Sequence, residues 1–325
     1  MTPSPRSAPA PGTDRPPPLA GARRRLATVA LLAVTALTGG LTACGDGDDR
    51  AVPTTLPTPA RPTTTTTPPA GPDAGFTVFG DFGGGPAQVA VANQMEAWVA
   101  DGHRVDALVT TGDNVYDFGE PEHFEAQLDE PYAELREDGR PFWVTLGNHD
   151  VVRGYGDEQL EYLGLPPLPY ERRLTGLRLY FLDGNRPNAE QAAWLAERLA
   201  EAEDDLTVVS FHQPPYSCGA HGSVASVQQA WGRVFEEHDV DLVLSGHDHL
   251  YQRFESAGGV TYVVTGGGGR ALYDFREPCE VGVDLMSHAV EHHFVGVEVT
   301  GDRLDAAAVA DDGRVLDRFS LRRGD

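Results

Sequence analysis

The sequence predicts an α/β fold of two packed mixed β-sheets flanked by helices, on three observations. Between residues 76 and 244, apolar runs of strand length alternate with amphipathic stretches of helical length, as in sheets covered by helices. From residue 294 the pattern changes to apolar–polar alternation broken by turn signals, which marks an antiparallel meander. Polar residues capable of chemistry stand at the ends of the apolar runs. In open α/β sheets ligands gather at the carboxyl ends of strands.

Each element has its own signal. Residues 76–79 form an unbroken apolar-rich run, a strand buried on both faces. Pro86 then opens a helix, where its missing N–H is harmless, with Val89, Ala92, Met95 and Val99 on one face. Strands follow at residues 107–110, 141–146 and 179–182. Asn188 caps a helix that runs to Ala202, with Trp194, Leu195 and Leu199 facing the core. Residues 206–210 and 241–244 are strands, with a helix between them over 224–238. The meander is expected at 294–299, 303–310 and 314–321, with turns at Gly301-Asp302 and at Asp311-Asp312-Gly313. No internal repeat alters this reading.

The composition narrows the function. The chain has a formal charge of −24 and no lysine, so arginine carries all the positive side-chain charge. It is more acidic still once the five arginines and one aspartate of residues 1–43 are set aside. Such a surface argues against nucleic acid as a resident partner. It also repels anionic substrates, so any phosphate affinity must come from a local positive centre.

Five short motifs follow apolar runs: Gly80-Asp81-Phe82-Gly83, Gly112-Asp113-Asn114-Val115-Tyr116, Gly147-Asn148-His149-Asp150, Phe211-His212-Gln213-Pro214 and Gly246-His247-Asp248-His249. Singly, several are weak. Asp81 alone could cap a helix or turn, and Asp113-Asn114 could be a turn. The Asn148-His149 and His247-x-His249 motifs are more specific, because residues i and i+2 converge on a metal pair only in a sharp turn. Asp150 either orients His149 or is an exposed loop carboxylate. Asp248 receives no role. Gly266 to Gly269 either let backbone approach a ligand closely or form a flexible loop. His103, His123, His238, His288, His292 and His293 read as surface or strand residues.

The ordered set resembles the calcineurin-like metallophosphoesterases over residues 76–321. Tyr116, three residues after Asp113, points within them to the small, single-domain purple acid phosphatases. The resemblance implies an αββα sandwich with two metal ions. Asp81, Tyr116 and His249 would hold the first, Asn148, His212 and His247 the second, and Asp113 would bridge them. It implies Fe(III) at the Tyr116 position and a divalent Fe, Zn or Mn at the other. Such a pair outweighs the charge of Asp81, Asp113 and a Tyr116 phenolate, and so supplies the missing positive centre. His149 and His221 are the catalytic candidates, each able to bind phosphate or protonate the leaving oxygen. The implied reaction is hydrolysis of a small phosphate monoester by a metal-bound hydroxide, with acid activity implied by the family name alone. A phosphodiesterase or nucleotidase would use the same site. A manganese or zinc pair with Tyr116 outside the coordination sphere would keep the reaction. Intact motifs argue against a non-catalytic surface binding protein.

The N-terminal region reads differently. Arg23, Arg24 and Arg25 precede a short apolar stretch over 26–34, as in an export signal. Leu41-Thr42-Ala43-Cys44 resembles a bacterial lipobox. By that resemblance residues 1–43 are a lipoprotein signal peptide, and Cys44 is the lipidated N-terminus of an exported, cell-surface protein of a bacterium. An ordinary signal peptide with Cys44 incidental is the alternative, and the triple arginine leaves a twin-arginine route open. Residues 44–75, rich in Thr and Pro, form a disordered tether. Residues 76–325 form the catalytic domain. Beyond Cys44 the remaining cysteines are Cys218 and Cys279, expected to pair in an exported protein. Two buried thiols are the alternative.

Overall fold

The computed structural model describes residues 71–202 and 205–323. The expected signal sequence, Cys44 and the expected tether up to residue 70 lie outside the described residues. Among the described residues no helix is long and apolar enough to cross a membrane.

The strands in chain order are β1 (Ala74–Phe79), β2 (Ala107–Thr110), β3 (Phe142–Trp143), β4 (Tyr170–Leu174), β5 (Leu177–Phe181), β6 (Leu206–Ser210) and β7 (Leu242–Ser245). There follow β8 (Tyr251–Glu255), β9 (Thr261–Thr265), β10 (Asp284–Ala289), β11 (His293–Thr300), β12 (Arg303–Ala310) and β13 (Val315–Arg322). They form two sheets, ordered β13-β12-β11-β1-β2-β3 and β10-β8-β9-β7-β6-β5-β4. In the first, β1, β2 and β3 run parallel, and the meander β11–β13 joins antiparallel to β1. In the second, β5, β6, β7 and β9 run parallel, while β4, β8 and β10 join antiparallel. Both sheets are mixed, as the sequence predicts.

The continuous apolar runs are explained by burial on both faces. Val78, Val208, Leu242 and Leu244 point between the sheets and pack with Phe181, Val295 and Val297. Their neighbours Phe79, Val209 and Val243 point outward beneath helices. Each fully buried Val or Leu is worth about 1.5–3 kcal/mol relative to exposure.

The helix Pro86–Ala100 covers the first sheet with Ala92 and Met95 of the expected face, but the rest of the buried stripe is shifted. Gln88, Val91, Ala92, Met95 and Trp98 are buried, whereas Val89 is 47% exposed. Gln88 turns inward because its amide accepts from Gly84 N (2.6 Å) and donates to Gln127 O (2.8 Å) and the Tyr132 hydroxyl (3.1 Å). Hydrogen bonding thus fixes a stripe that apolar counting places one residue away. The second sheet is covered by Ala189–Ala200 and by a helical stretch from Ala225 to Glu237, which includes a π-helical turn at Gln228–Gly232. Asn188 caps the former, its side chain accepting from Gln191 N at 2.9 Å. Leu195 and Leu199 are buried there, and Trp194 is half-buried.

Of the strand expected over 141–146, only Phe142–Trp143 joins the ladder, and the rest runs on toward the Asn148 motif. β4, β8 and β10 had no clear signal, since charged and polar residues occupy much of each. The expected disulfide joins Cys218 and Cys279, with Cα atoms 5.5 Å apart across 61 residues. It ties the loop after β6 to the loop before β10.

Candidate metal centre

The five motifs meet at the carboxyl ends of strands from both sheets. Asp81 follows β1, Asp113 and Tyr116 follow β2, and Asn148 follows β3; His212 follows β6, and His247 and His249 follow β7. The chain must turn sharply at each strand end, and three of these residues take a left-handed backbone: Asp81 (φ 57°), Asp113 (φ 52°) and His247 (φ 71°). For non-glycine residues that conformation costs about 1–2 kcal/mol each, and such strain clusters at functional sites. The motif glycines have a steric reason. A Cβ on Gly147 would lie 2.0 Å from Asp113 Oδ1, and one on Gly246 would lie 2.4 Å from Asp81 Oδ2.

All seven predicted ligand side chains gather in one place, in two groups that share Asp113. On one side the Tyr116 hydroxyl lies 2.9 Å from Asp113 Oδ2 and 3.4 Å from His249 Nε2, which is 3.4 Å from Asp81 Oδ1. On the other, His212 Nε2 lies 3.3 Å from Asp113 Oδ2, 3.2 Å from Asn148 Oδ1 and 3.2 Å from His247 Nδ1. Ligand atoms of Asp113, His212 and His247 all fall within 4.8 Å of one another. The imidazoles are oriented from behind: His212 Nδ1 donates to Thr111 O (2.9 Å) and His249 Nδ1 to Ala271 O (2.7 Å). Each Nε2 is thereby turned toward the site.

The electrostatics fit a group of high positive charge. Asp81, Asp113 and Tyr116 are buried, and the partners of the two carboxylates are backbone N–H groups, imidazoles and the phenol. Buried carboxylates are stable only when paired. Burial pushes the Asp113 carboxyl up, but the charges of His212 and His149 outweigh it and hold the group below its usual range. Burial lowers His212, yet Asp113 and Asp81 raise it to about 9. Burial, with His212 and His221 beside it, drives His247 down to about 3. Burial and then the charges of Asp81 and Asp113 push the Tyr116 phenol well above its usual value. A phenol so placed becomes a phenolate only beside a strong cation. Carboxylates, a phenol, an amide and three imidazoles suit one hard and one borderline metal ion.

The two candidate histidines flank this group. His149 Nδ1 donates to Asp117 O (2.6 Å), which leaves Nε2 4.0 Å from Asp113 Oδ2 on a ring 37% exposed. The His221 ring stacks on His247 with centroids 4.2 Å apart. Asp248, which had no expected role, holds the His221 loop by accepting from His221 N (2.7 Å), Gly222 N (3.0 Å) and Ser217 Oγ (2.5 Å). Asp150 is neither exposed nor bonded to the His149 ring. It is fully buried and accepts from Gly147 N, Val115 N and Asn114 N, so it fixes the backbone of two motifs at once. Among the remaining histidines, His293 is a fully buried strand residue.

Sequence reasoning missed Arg270 and Tyr273. The Tyr273 ring stacks on His249 at 4.0 Å, and the Arg270 guanidinium lies over the Tyr116 ring at 4.3 Å. The glycine run before them was the available signal. Gly268 N donates to Gly80 O at 2.9 Å, and a Cβ on Gly268 would come within 2.4 Å of that oxygen. The run serves close backbone approach to the β1 motif.

The calcineurin-like phosphoesterase family model matches residues 75–251, and the chain belongs to that family. Its relatives include acid phosphatases. It is similar to tartrate-resistant acid phosphatase type 5 of Oryctolagus cuniculus, 28% identical over 241 residues that cover 61% of this chain and 74% of that protein. It is also similar to a cAMP/cGMP dual specificity phosphodiesterase of Mycobacterium tuberculosis (strain CDC 1551 / Oshkosh). That match is 33% identical over 187 residues, covering 52% of this chain and 56% of the relative. Among solved structures, purple acid phosphatase PPD1 from yellow lupin (Lupinus luteus) seeds shares the fold, with a TM-score of 0.66 and 17% identity over 77% of this chain and 54% of that one.

Proposed function

We propose that this chain hydrolyses small phosphate monoesters at a dinuclear metal centre. Asp81, Tyr116 and His249 would hold Fe(III); Asn148, His212 and His247 would hold a divalent Fe, Zn or Mn; Asp113 would bridge the two. The observation that carries the reading is Asp113 Oδ2, which lies within 3.3 Å of both the Tyr116 hydroxyl and His212 Nε2 and so touches both groups. When bound, a metal pair lowers the pKa of bound water and stabilises the attacking and leaving oxygens of an in-line displacement.

The chain's own residues do the rest. His149, with Nδ1 committed to Asp117 O, presents Nε2 toward the reacting phosphate and is placed to hand a proton to the leaving oxygen. His221, seated on His247 and held by Asp248, borders the site at the His247 group and is a second group able to bind phosphate. The acidic chain carries −24 overall, so substrate attraction resides in the site itself. Export and anchoring through Cys44 are part of the same proposal, and the lipobox-like residues 41–44 support them.

A phosphodiesterase is the second reading, favoured by the 33% identity to the mycobacterial dual specificity enzyme. The test is metal analysis and a visible spectrum of the purified protein, with rates on p-nitrophenyl phosphate and bis-p-nitrophenyl phosphate. A purple or pink protein with about one iron per chain, faster on the monoester, and losing its colour in Tyr116→Phe, is expected. Preference for the diester supports the second reading. Absence of turnover on both esters with metal loaded would refute the enzyme.

A further inference from the structure

We propose that Arg270 is a specificity residue that grips a second anionic group of the substrate, next to the phosphate that is cleaved. The inference deepens the phosphoesterase reading and rests on it.

Arg270 is placed by its backbone. Its N–H donates to Asp81 O at 2.9 Å, and its carbonyl accepts from His292 Nε2 at 3.1 Å. The loop is thereby fastened to the β1 motif. The guanidinium lies 4.3 Å from the centroid of the Tyr116 ring, whose hydroxyl is 2.9 Å from Asp113 Oδ2. A fixed positive charge therefore stands one phenol ring away from the reacting centre, in a chain of net charge −24. Stacking on the ring orients the planar fork.

The present partner of that fork is weakly held. Arg270 Nη2 donates to Asp117 Oδ1 at 2.9 Å, and the two side chains are 37% and 62% exposed. A solvent-exposed ion pair is readily exchanged, and a phosphate offers Arg a bidentate partner in place of a single carboxylate oxygen. Asp117 is also tied to His149, because its backbone carbonyl accepts from His149 Nδ1. The substrate class that fits is an organic diphosphate such as a nucleoside diphosphate, whose terminal phosphoryl group is released by water at the anhydride bond to the second phosphate.

AMP and ADP are the probes, because they differ only in the second phosphate. The reading is the ratio of kcat/KM for ADP over AMP, from initial phosphate release by the metal-loaded full chain. Losing a charge-assisted hydrogen bond to a phosphate should lower this ratio roughly ten- to hundred-fold in Arg270→Ala, with Arg270→Lys between the two. Asp117→Asn, which frees the guanidinium, should hold or raise the ratio. An arginine that merely covers Tyr116 would slow both nucleotides together. A ratio unchanged within about two-fold in Arg270→Ala, or a fall in Asp117→Asn matching Arg270→Ala, overturns the proposal. Wild-type protein inactive on AMP, ADP and p-nitrophenyl phosphate alike would remove the phosphoesterase reading and this inference with it. Turnover with an unmoved ratio removes the inference alone.

Discussion

Replacing Asp150 by Ala separates a scaffold role from a catalytic one. The carboxylate accepts from Gly147 N at 2.8 Å, Val115 N at 2.9 Å, Asn114 N at 3.0 Å and Gln159 Nε2 at 2.9 Å. The Gln159 amide is a side chain and can turn to another partner. The three backbone N–H groups cannot, because they belong to the turns that carry Asp113 and Asn148. Each buried donor left without a partner costs about 1–3 kcal/mol. Water entering the space left by the carboxylate recovers part of this. The variant also sheds a buried charge: burial, then Asp113, raises the Asp150 pKa to about 6, so ionisation already opposes some of what the bonds contribute. Taking the low end for three donors gives a loss of about 3 kcal/mol. That corresponds to a fall in Tm of about 6–12 °C for a domain of this size. Thermal denaturation followed by circular dichroism, with and without chelator, measures it. A loss under about 1 kcal/mol, accompanied by a fall in kcat, would falsify the scaffold role and restore the idea that Asp150 orients His149.

The other predictions concern the metals, the proton, the disulfide and pH. Asp113→Ala should bind neither metal stoichiometrically, checked by metal analysis after dialysis; full metal content would remove Asp113 as the bridge. His149→Ala should keep its metals and lose about 10²- to 10⁴-fold in kcat, the usual share of a general acid; an unchanged kcat would strip it of that role. Replacing both Cys218 and Cys279 with Ser opens a loop of 61 residues and should cost about 4 kcal/mol on the chain-entropy model, read from urea midpoints of oxidised wild type and variant. His293 is fully buried, with its pKa lowered to about 4 chiefly by burial. The unfolded chain, with its His near 6.5, binds the proton first, so this group's contribution is complete above about pH 6.5 and is lost as pH falls toward 4. The loss is about 3 kcal/mol at 1.36 kcal/mol per unit. His293→Gln should flatten that part of the stability–pH curve; an identical slope in wild type and variant would show that other groups govern it.

Much of this was legible in the sequence where local rules and tertiary needs agree. β2, β6 and the second half of β12 are buried on both faces, so apolar pattern alone locates them. The cluster of candidate residues was legible because strand-end turns force Gly beside Asp, Asn or His, and those glycines are required sterically at Gly147 and Gly246. What stayed hidden depends on partners distant in the chain. Val89 looks like a core residue until Gln88 is found bonded to Gln127 O and the Tyr132 hydroxyl. Asp150 and Asp248 look like loop carboxylates until their backbone donors are seen. Arg270 and Tyr273 follow a glycine run with no motif of their own. Only the pairing of that run with Gly80 brings them to the site.

The division of labour around the centre explains why its residues tolerate such an unfavourable setting. Asp81, Asp113 and His247 hold strained backbones, and two of them bring buried negative charge. Left to themselves such residues would turn outward. They are prevented by groups that are not predicted to touch a metal: Asp150 beneath the Asp113 and Asn148 turns, Thr111 O and Ala271 O behind two imidazoles, and Gly268 against Gly80. The scaffold thus opposes the repulsion without help from a cation. Two classes of variant should then differ in how they respond to metal. Asp150→Ala and Asp113→Ala should both lower the metal-free Tm, the second because it strips His149 N and His212 of their partner at a φ of 52° that Ala tolerates no better than Asp, but only Asp113→Ala should lose the rise in Tm that added metal gives. If metal raises the Tm of Asp113→Ala as much as that of wild type, the separation between holding the site and holding the metal does not exist in this chain.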